Sequence, residues 1–394
     1  MKLIQPRLTA PGSVPFHLKS VIYEKDDPDD KTKVEIFWAA PDRWRRTIES
    51  NALTQTIIVN GDKIFEKDSD DYLPLHLETL ILAMLNPQPL LNTLRPGDRV
   101  ETQANGGRKI PPFCAKLRPG DEGRLAVVCG LGPFKEMETI GAPGHPVIFA
   151  DYQKFRDSKV ARLLITVPEI GVSWRADVLK LEELKHPDPD LFAIADPTAK
   201  EKQMNTAFLT EAEVRALAIE KPEIIWPQVL DGNTEGTASY LVSVDRSGTL
   251  RETVVVNSDN ERANDSARRQ LQKWRFAPAS KDGVPVQAEG ILTFDLNTRA
   301  FGRANPLTDE EARKLASNIS EPEIPAGKFP SGTVYCLRVA VDHEGNVIEV
   351  IASGDGPPDL FKPCYDALKK WKFSPLMENG QPRPYRANIS FYVP

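Results

Sequence analysis

The feature that most constrains this chain is a long segment written twice. SYLVSVDRSGTLRETVVV, from Ser239, aligns with CLRVAVDHEGNVIEVIAS, from Cys336, and QLQKWRFAPASKDGVPV aligns with ALKKWKFSPLMENGQPR. Asp245 and Asp342, Trp274 and Trp371, and Gly283 and Gly380 all keep one offset of 97 (342 − 245). A repeat of that length is a duplicated domain, too long for a solenoid unit. A chain of 394 residues then has room for one further domain ahead of the pair.

Each copy reads alike. Tyr240, Val242 and Val244 alternate with polar or outward positions, Asp245-Arg246-Ser247-Gly248 turns the chain, and Leu250 to Val256 returns, which predicts a β-hairpin. Ala263, Ala267, Leu271 and Trp274 then fall on one helix face, as do Leu360, Cys364, Leu368 and Trp371. The helices are expected to stop within Trp-Arg-Phe-Ala-Pro and Trp-Lys-Phe-Ser-Pro, because the residue before a proline is pushed out of the α region. Asp282-Gly283 and Asn379-Gly380 turn into last strands, Glu289 to Leu296 and Ala387 to Val393. Three strands with one amphipathic helix make a two-layer α+β sandwich. Thr210 with Glu213, and Thr308 with Glu311, are capping boxes that predict a further helix before each copy. The duplicated units therefore begin near Met204 and Asn305.

The order strand, V-D-x-x-G turn, strand, helix ending W-[RK]-[FY]-x-P, turn and final strand resembles the TonB C-terminal domain family, in both copies. The resemblance implies docking of an outer-membrane or envelope transport protein, one peptide segment of which adds as a strand to an exposed sheet edge. The edges would be the final strands, with Ile291, Thr293, Asn388, Ser390 and Tyr392 in contact. An unpaired edge otherwise invites association. A homodimer through these strands, or pairing of the two copies within the chain, is the competing expectation. TonB itself carries a transmembrane helix and a proline-rich spacer that this sequence does not show, so the resemblance does not extend to energy transduction. It does imply a periplasmic location, with any export or anchor segment outside this chain.

Ahead of the repeats, short alternating strands run from Phe16 to about Ala195, interrupted by one helix at about Pro74 to Leu85. That pattern predicts a curved antiparallel half-barrel with the helix plugging its concave side. FWAAPDRWRRTIESNALTQTIIVNGDKIFEKDSDDYLPL resembles the LolA/LolB lipoprotein-carrier family. The resemblance implies a cavity for a lipid or lipoprotein acyl chain, walled by Phe37, Trp38 and Trp44, with Arg45 or Arg46 at the lid. On the residues alone, the aromatics Phe37, Trp38, Trp44 and Phe65 are more often plain barrel core than ligand wall, and the arginines fit a solvated strand face. The fold class is α+β, with domains at 14–195, 204–300 and 305–394.

Charge and chemistry exclude several functions. The net charge of −6 is interspersed, so there is no clustered basic face for nucleic acid. Hydrophobic content of 40% with 27% charged residues suits folded domains. No run of 18 apolar residues predicts a membrane-spanning helix, and the start lacks a secretory h-region. His17, His76, His145, His186 and His343 lack metal-site spacing, and no nucleophile elbow, phosphate loop or dinucleotide fingerprint occurs. No enzyme activity, cofactor or metal is expected. The acidic runs 26–30 and 68–71 lack the glycine and alternation of a calcium loop and read as solvated turns.

Cysteines bear on the compartment. Cys114 and Cys129 flank a segment centred on Gly120-Asp121-Glu122-Gly123, a hairpin loop that would place them directly opposite each other. Both a disulfide and two half-buried thiols fit that placement, and a disulfide would mean an oxidising compartment. Cys364 falls on a helix core face and Cys336 points away from it, so these two are expected as free thiols, one buried.

Overall fold

The computed structural model describes residues 8–10, 12–25, 27–86, 99–104, 113–118, 127–131, 137–141, 147–166, 173–194, 206–229, 232–299, 306–325, 327–354, 356–378 and 380–393, with 100–104, 113–118, 127–131 and 137–141 given by backbone alone. Contacts group the chain into two compact units. One is Met1–Pro222, Ser239–Asn257 and Gln272–Thr293; the other is Glu223–Ala238, Ser258–Leu271 and Phe294–Pro394.

The first unit opens with a curved antiparallel sheet. Its strands are β1 (Phe16–Glu24), β2 (Asp27–Ala40), β3 (Arg43–Glu49), β4 (Thr54–Asn60), β5 (Lys63–Asp68), β6 (Arg99–Ala104), β7 (Phe113–Arg118), β8 (Val127–Leu131), β9 (Met137–Gly141), β10 (Val147–Phe155), β11 (Ser158–Thr166) and β12 (Trp174–Glu183). They lie in the order β5-β4-β3-β2-β1-β12-β11-β10-β9-β8-β7-β6, two meanders joined where β1 pairs β12, with β5 and β6 at the two ends of the sheet. The helix α1 (Leu75–Leu85) follows β5.

Period-two alternation puts Phe16, Leu18, Ile22, Val34, Ile36, Trp38 and Ile48 on one face of this sheet, each at most 3% exposed. Helix α1 lays Leu77, Leu80, Ile81 and Met84 against them. Each such side chain contributes about 1.5–3 kcal/mol on burial, which fixes the helix over the sheet. The His76 ring stacks on Trp174 at 3.6 Å and burial pulls its pKa down to about 4, so it packs as a neutral ring. The plugged, curved sheet is as the strand pattern predicts.

The remaining elements are β13 (Thr206–Leu209), α2 (Glu211–Leu217), β14 (Ala218–Glu220), β15 (Glu235–Val244), β16 (Leu250–Ser258), α3 (Asn264–Leu271), β17 (Arg275–Phe276), β18 (Ala279–Lys281) and β19 (Val284–Asn297). There follow α4 (Asp309–Leu315), β20 (Ala316–Asn318), β21 (Val334–Val341), β22 (Val347–Ala352), α5 (Phe361–Leu368), β23 (Lys372–Phe373), β24 (Leu376–Glu378), β25 (Gln381–Arg383) and β26 (Tyr385–Tyr392). From α4 onward the elements follow the order that starts at α2, except that the single strand β19 is answered by two, β25 and β26. One sheet runs β13-β19-β15-β16 with β18 on β19; another runs β22-β21-β26. In the second unit Leu337, Val339, Ile389 and Ala387 pack with Leu360, Cys364, Leu368 and Trp371 in one core.

The V-D-x-x-G and W-x-F motifs form one device. Asp245 Oδ1 accepts from the amides of Ser247 and Thr249, each at 2.9 Å, and Asp342 Oδ1 does the same for Glu344 and Asn346 at 2.9 and 2.8 Å. Gly248 and Gly345 then take φ of +89° and +84°, and a Cβ there would collide with the carbonyl oxygens of Phe276 and Phe373. The amides of those phenylalanines donate back to Gly248 and Gly345 at 3.1 and 2.9 Å. Gly345→Ala is therefore expected to cost at least about 1–3 kcal/mol, read as a lowered unfolding midpoint, because the turn must give up both its backbone conformation and this approach.

Two local expectations are corrected. The helices end at Leu271 and Leu368, before Trp274 and Trp371 rather than at the prolines. The cause is tertiary: the Phe276 and Phe373 backbones are drawn onto the turn glycines, and the Ala277 and Ser374 amides donate to Leu217 and Leu315 at 2.7 Å. In the β7–β8 hairpin, Cys114 is opposite Gly130 and Cys129 opposite Ala115, one step from the directly opposed register expected. An odd number of residues separates the paired Leu117 and Val127, which displaces the centre. The side chains of Cys114 and Cys129 lie outside the described residues.

Cys336 and Cys364 are free thiols, as expected. Burial pushes the Cys364 thiol up to about 11. Among the described residues, no helix is long and apolar enough to cross a membrane, and no group of three or more His, Cys, Asp or Glu is placed to hold a metal ion.

Candidate functional site

Both expected capping boxes form: Thr210 and Thr308 accept from the amides of Glu213 and Glu311, whose carboxylates bond back to the threonine amides. They fix where α2 and α4 start, and so which residues share a face one turn apart. In α2 those residues are Glu211 and Arg215; in α4 they are Asp309 and Arg313.

Each pair grips one residue of a final strand. Asp309 Oδ1 accepts the Ser390 amide at 2.9 Å, Asp309 Oδ2 accepts Arg313 Nε at 2.9 Å, and Arg313 Nη2 donates to the Ser390 carbonyl at 2.8 Å. In the first unit Glu211 Oε1 accepts the Thr293 amide at 3.1 Å and Arg215 Nε at 2.8 Å, while Arg215 Nη2 donates to the Thr293 carbonyl at 2.6 Å. An acid and an arginine thus replace the donor and acceptor that a neighbouring strand would supply. The Arg313 guanidinium also lies 5.3 Å from the centre of the Trp371 ring.

Upstream of each helix the chain itself adds as a strand. Thr206–Leu209 pairs in parallel with Gln287–Gly290. Leu307 bridges Ala387 in parallel, its amide donating to Arg386 at 2.8 Å and its carbonyl accepting from Asn388 at 2.9 Å.

The sequence reading left these edges exposed, and that is corrected: the outward backbone groups of Thr293, Asn388 and Ser390 are filled by the segment just before each sandwich. The physical reason is that backbone donors and acceptors on an apolar sheet must find partners, and the nearest extended chain supplies them. Ile291 is half-buried on β19, and Tyr392 is 64% exposed beside its partner Val334 at the end of the β21–β26 ladder. The missed signal was in the sequence, where T-[DE]-x-E-x-R occurs at Thr210–Arg215 and again at Thr308–Arg313.

A second constellation lies within the first unit, where residues 68–78 meet β15, β16 and β19. Gln287, fully buried, accepts the Leu73 amide at 2.9 Å and donates to the Leu73 carbonyl at 3.1 Å. Glu252 Oε1 accepts from Tyr72 Oη at 2.9 Å and from the Leu75 amide at 3.1 Å. Arg246 donates to Asp68 at 3.1 Å and to Asp71 at 3.0 Å, and Arg251 bridges Asp70 and Asp245 at 3.2 Å each. The 68–71 run is therefore an ion-paired contact, not the solvated turn expected.

Deeper in, Glu78 accepts from Thr206 Oγ1 at 3.0 Å and hydrogen-bonds Glu289, which accepts from Gln287 at 3.3 Å and Ser243 at 3.3 Å. Burial holds Glu289 well above the ordinary carboxylate value, and the Glu78 charge adds to this. Glu78 and Glu252 are raised by the same desolvation.

The lid and wall residues separate by face. Trp38 stacks on Phe16 at 5.6 Å and is 3% exposed, and Trp44 packs on the same core. Arg46, opposite Ile36 in the ladder, donates to Gln55 at 2.6 Å and faces Glu66, Glu78 and Asp68. Phe37 and Arg45, opposite each other in the ladder, are on the other face, where Phe37 stacks on His17 at 4.1 Å. Strand alternation makes a single wall of all five impossible.

In the second unit the V-D-x-x-G turn is again ion-paired, with the signs reversed: Arg269 meets Glu344 at 2.9 Å and Arg262 meets Glu349 at 3.4 Å.

These features define a class: an α+β protein built from a curved, helix-plugged antiparallel sheet and small sandwiches whose final-strand edges, β19 and β26, are partly covered by the chain segment just before each. Residues 226–296 match the family described as Gram-negative bacterial TonB protein C-terminal. Solved structures similar to the N-terminal half include a LolA superfamily protein from Nitrosomonas europaea, at 9% identity and a TM-score of 0.34 over 48% of this chain and 93% of that one. A putative outer membrane lipoprotein-sorting protein domain from Vibrio parahaemolyticus has 11% identity and a TM-score of 0.29, over 45% of this chain and 89% of that one. A DUF1329 family protein from Desulfovibrio piger has 11% identity and a TM-score of 0.31, over 46% and 90%. No curated protein sequence matches the chain.

Proposed function

We propose that this chain is a non-enzymatic interaction protein of the Gram-negative cell envelope, with two tandem TonB-type modules (204–300 and 305–394) behind a carrier-like sheet domain (14–195). The modules dock an extended peptide segment of an outer-membrane or envelope transport partner by strand addition. One observation carries this reading: the β19 edge already holds an extended segment, Thr206–Leu209, in parallel register. Periplasmic residence follows from the same reading.

The alternative is a lipid or lipoprotein carrier using the curved sheet. Leu77, Leu80, Ile81 and Met84 of α1 lie against the concave face where an acyl chain would sit, which favours docking over carriage. The test for both uses the full chain. Gently purified from envelope, it should bring an outer-membrane transporter with it and no stoichiometric lipid by mass spectrometry. Ser390→Pro removes an outward edge donor and leaves the β21 pairing in place. It should weaken the transporter contact at least about tenfold, an edge hydrogen bond being the unit lost. A contact unchanged by this proline would remove strand addition at β26, and bound lipid at one per chain would favour the carrier.

A further inference from the structure

We infer that α2 and α4 are latches: in each, an acid and an arginine one turn apart bond both backbone groups of a single final-strand residue, and so keep a docking edge closed until an extended partner displaces the segment. The inference rests on the strand-addition reading and names how that site is regulated.

Three observations support it. The grip is built twice, on Thr293 and on Ser390, by residues at equivalent helix positions but of different acid type, Glu211 and Asp309. Duplicates that keep a geometry while exchanging the acid indicate that the hydrogen-bonding role itself fixes the position. Second, each latch is cheap to open. Both helices have only seven residues and bury one side chain apiece, Val214 in α2 and Ala312 in α4. Helices shorter than about 12 residues are marginal by themselves, so these depend on their caps and on the grip. Third, the grip blocks the edge at the point where a partner would continue the strand. The covering segment ends at Leu209 or Leu307, and the acid-arginine pair occupies the next outward-facing residue of β19 or β26. A partner extending along the edge must break that pair.

Tethering makes the latch effective. The covering segment sits at a local concentration in the millimolar range, so a free peptide of similar sequence is outcompeted while the latch is shut.

The test uses the full chain with Asp309→Ala and Arg313→Ala combined, and a labelled synthetic peptide of residues 303–309 as probe. Amide exchange at Asn388 and Ser390 should accelerate at least about tenfold, while Leu337 and Val339 on the central strand keep their protection. The probe should bind the double variant about tenfold tighter than the parent. Asp309→Glu, which installs the acid type of the first module, should leave both readouts near the parent. Unchanged exchange at Asn388 and Ser390 in the double variant overturns the latch. Faster exchange with no gain in probe binding leaves the closure standing and overturns strand addition as its purpose.

Discussion

Arg246→Ala is expected to lower the stability of the first unit by about 3–5 kcal/mol, the cost typical of removing one partner from a buried ion pair. The Arg246 side chain is 4% exposed and that of Asp68 3%, so the substitution takes away the cation bonded directly to a carboxylate in a dry site and leaves it only the charge of Arg46, which Glu66 and Glu78 share. The guanidinium also donates to the Asp70 carbonyl at 3.0 Å and pairs with Asp71, so a loop loses its anchor as well. Arg251 provides the internal comparison. It pairs with Asp70 and Asp245 at the same kind of distance but is 36% exposed, and the buried Asp245 keeps the amides of Ser247 and Thr249, so Arg251→Ala should cost less than Arg246→Ala, about 1 kcal/mol. Urea unfolding of both variants decides the matter: equal losses would mean that burial of the Asp68 pair contributes nothing. Combining Arg246→Met with Asp68→Leu should recover most of the loss, because apolar isosteres avoid the desolvation that a half-broken pair suffers.

The second large effect is a dependence on pH. Glu78 and Glu289 share a buried hydrogen bond, and the folded state raises both above their ordinary 4.5, chiefly by desolvation. Arg46 and Thr206 face Glu78, while Gln287 and Ser243 face Glu289. A raised folded pKa means that the folded chain retains a proton which the unfolded chain releases. Stability from this pair is therefore complete below about 4.5 and is lost as pH rises through the raised values. The loss amounts to about 1.4 kcal/mol per pH unit for each proton held. Glu289→Gln replaces a protonated carboxyl by a neutral amide that can still donate to Glu78. It should flatten the slope of the unfolding midpoint between pH 5 and 8 and raise stability at the alkaline end. A slope identical in Glu289→Gln and the parent would show that Glu289 does not hold the proton.

These expectations also mark what the sequence left illegible. Both edge grips have a repeated signature, T-[DE]-x-E-x-R, and the two capping boxes within it were readable because they join residues three apart. What the arginine reaches was not readable, since Arg313 bonds the carbonyl of Ser390 across the fold. Glu289 lies on the outward face of its strand in the alternation pattern and would be assigned to solvent. It is buried because α1, more than two hundred residues earlier in the chain, supplies Glu78 against it. The acidic run at 68–71 carries no local mark that separates a solvated turn from a docking point.

The sequence by itself determined the duplication, the hairpin turns, the strand alternation, the plugging helix and the helix starts. Each of these follows from relations among residues a few positions apart, where turn chemistry and periodicity operate. Only the tertiary structure decided where the helices end, which edges are closed, and which charges are paired. Asp68 and Arg246 are separated by 178 positions, and Leu73 and Gln287 by 214. Backbone and charge at such separations are satisfied by whatever surface folding brings next to them, and no local pattern specifies that surface.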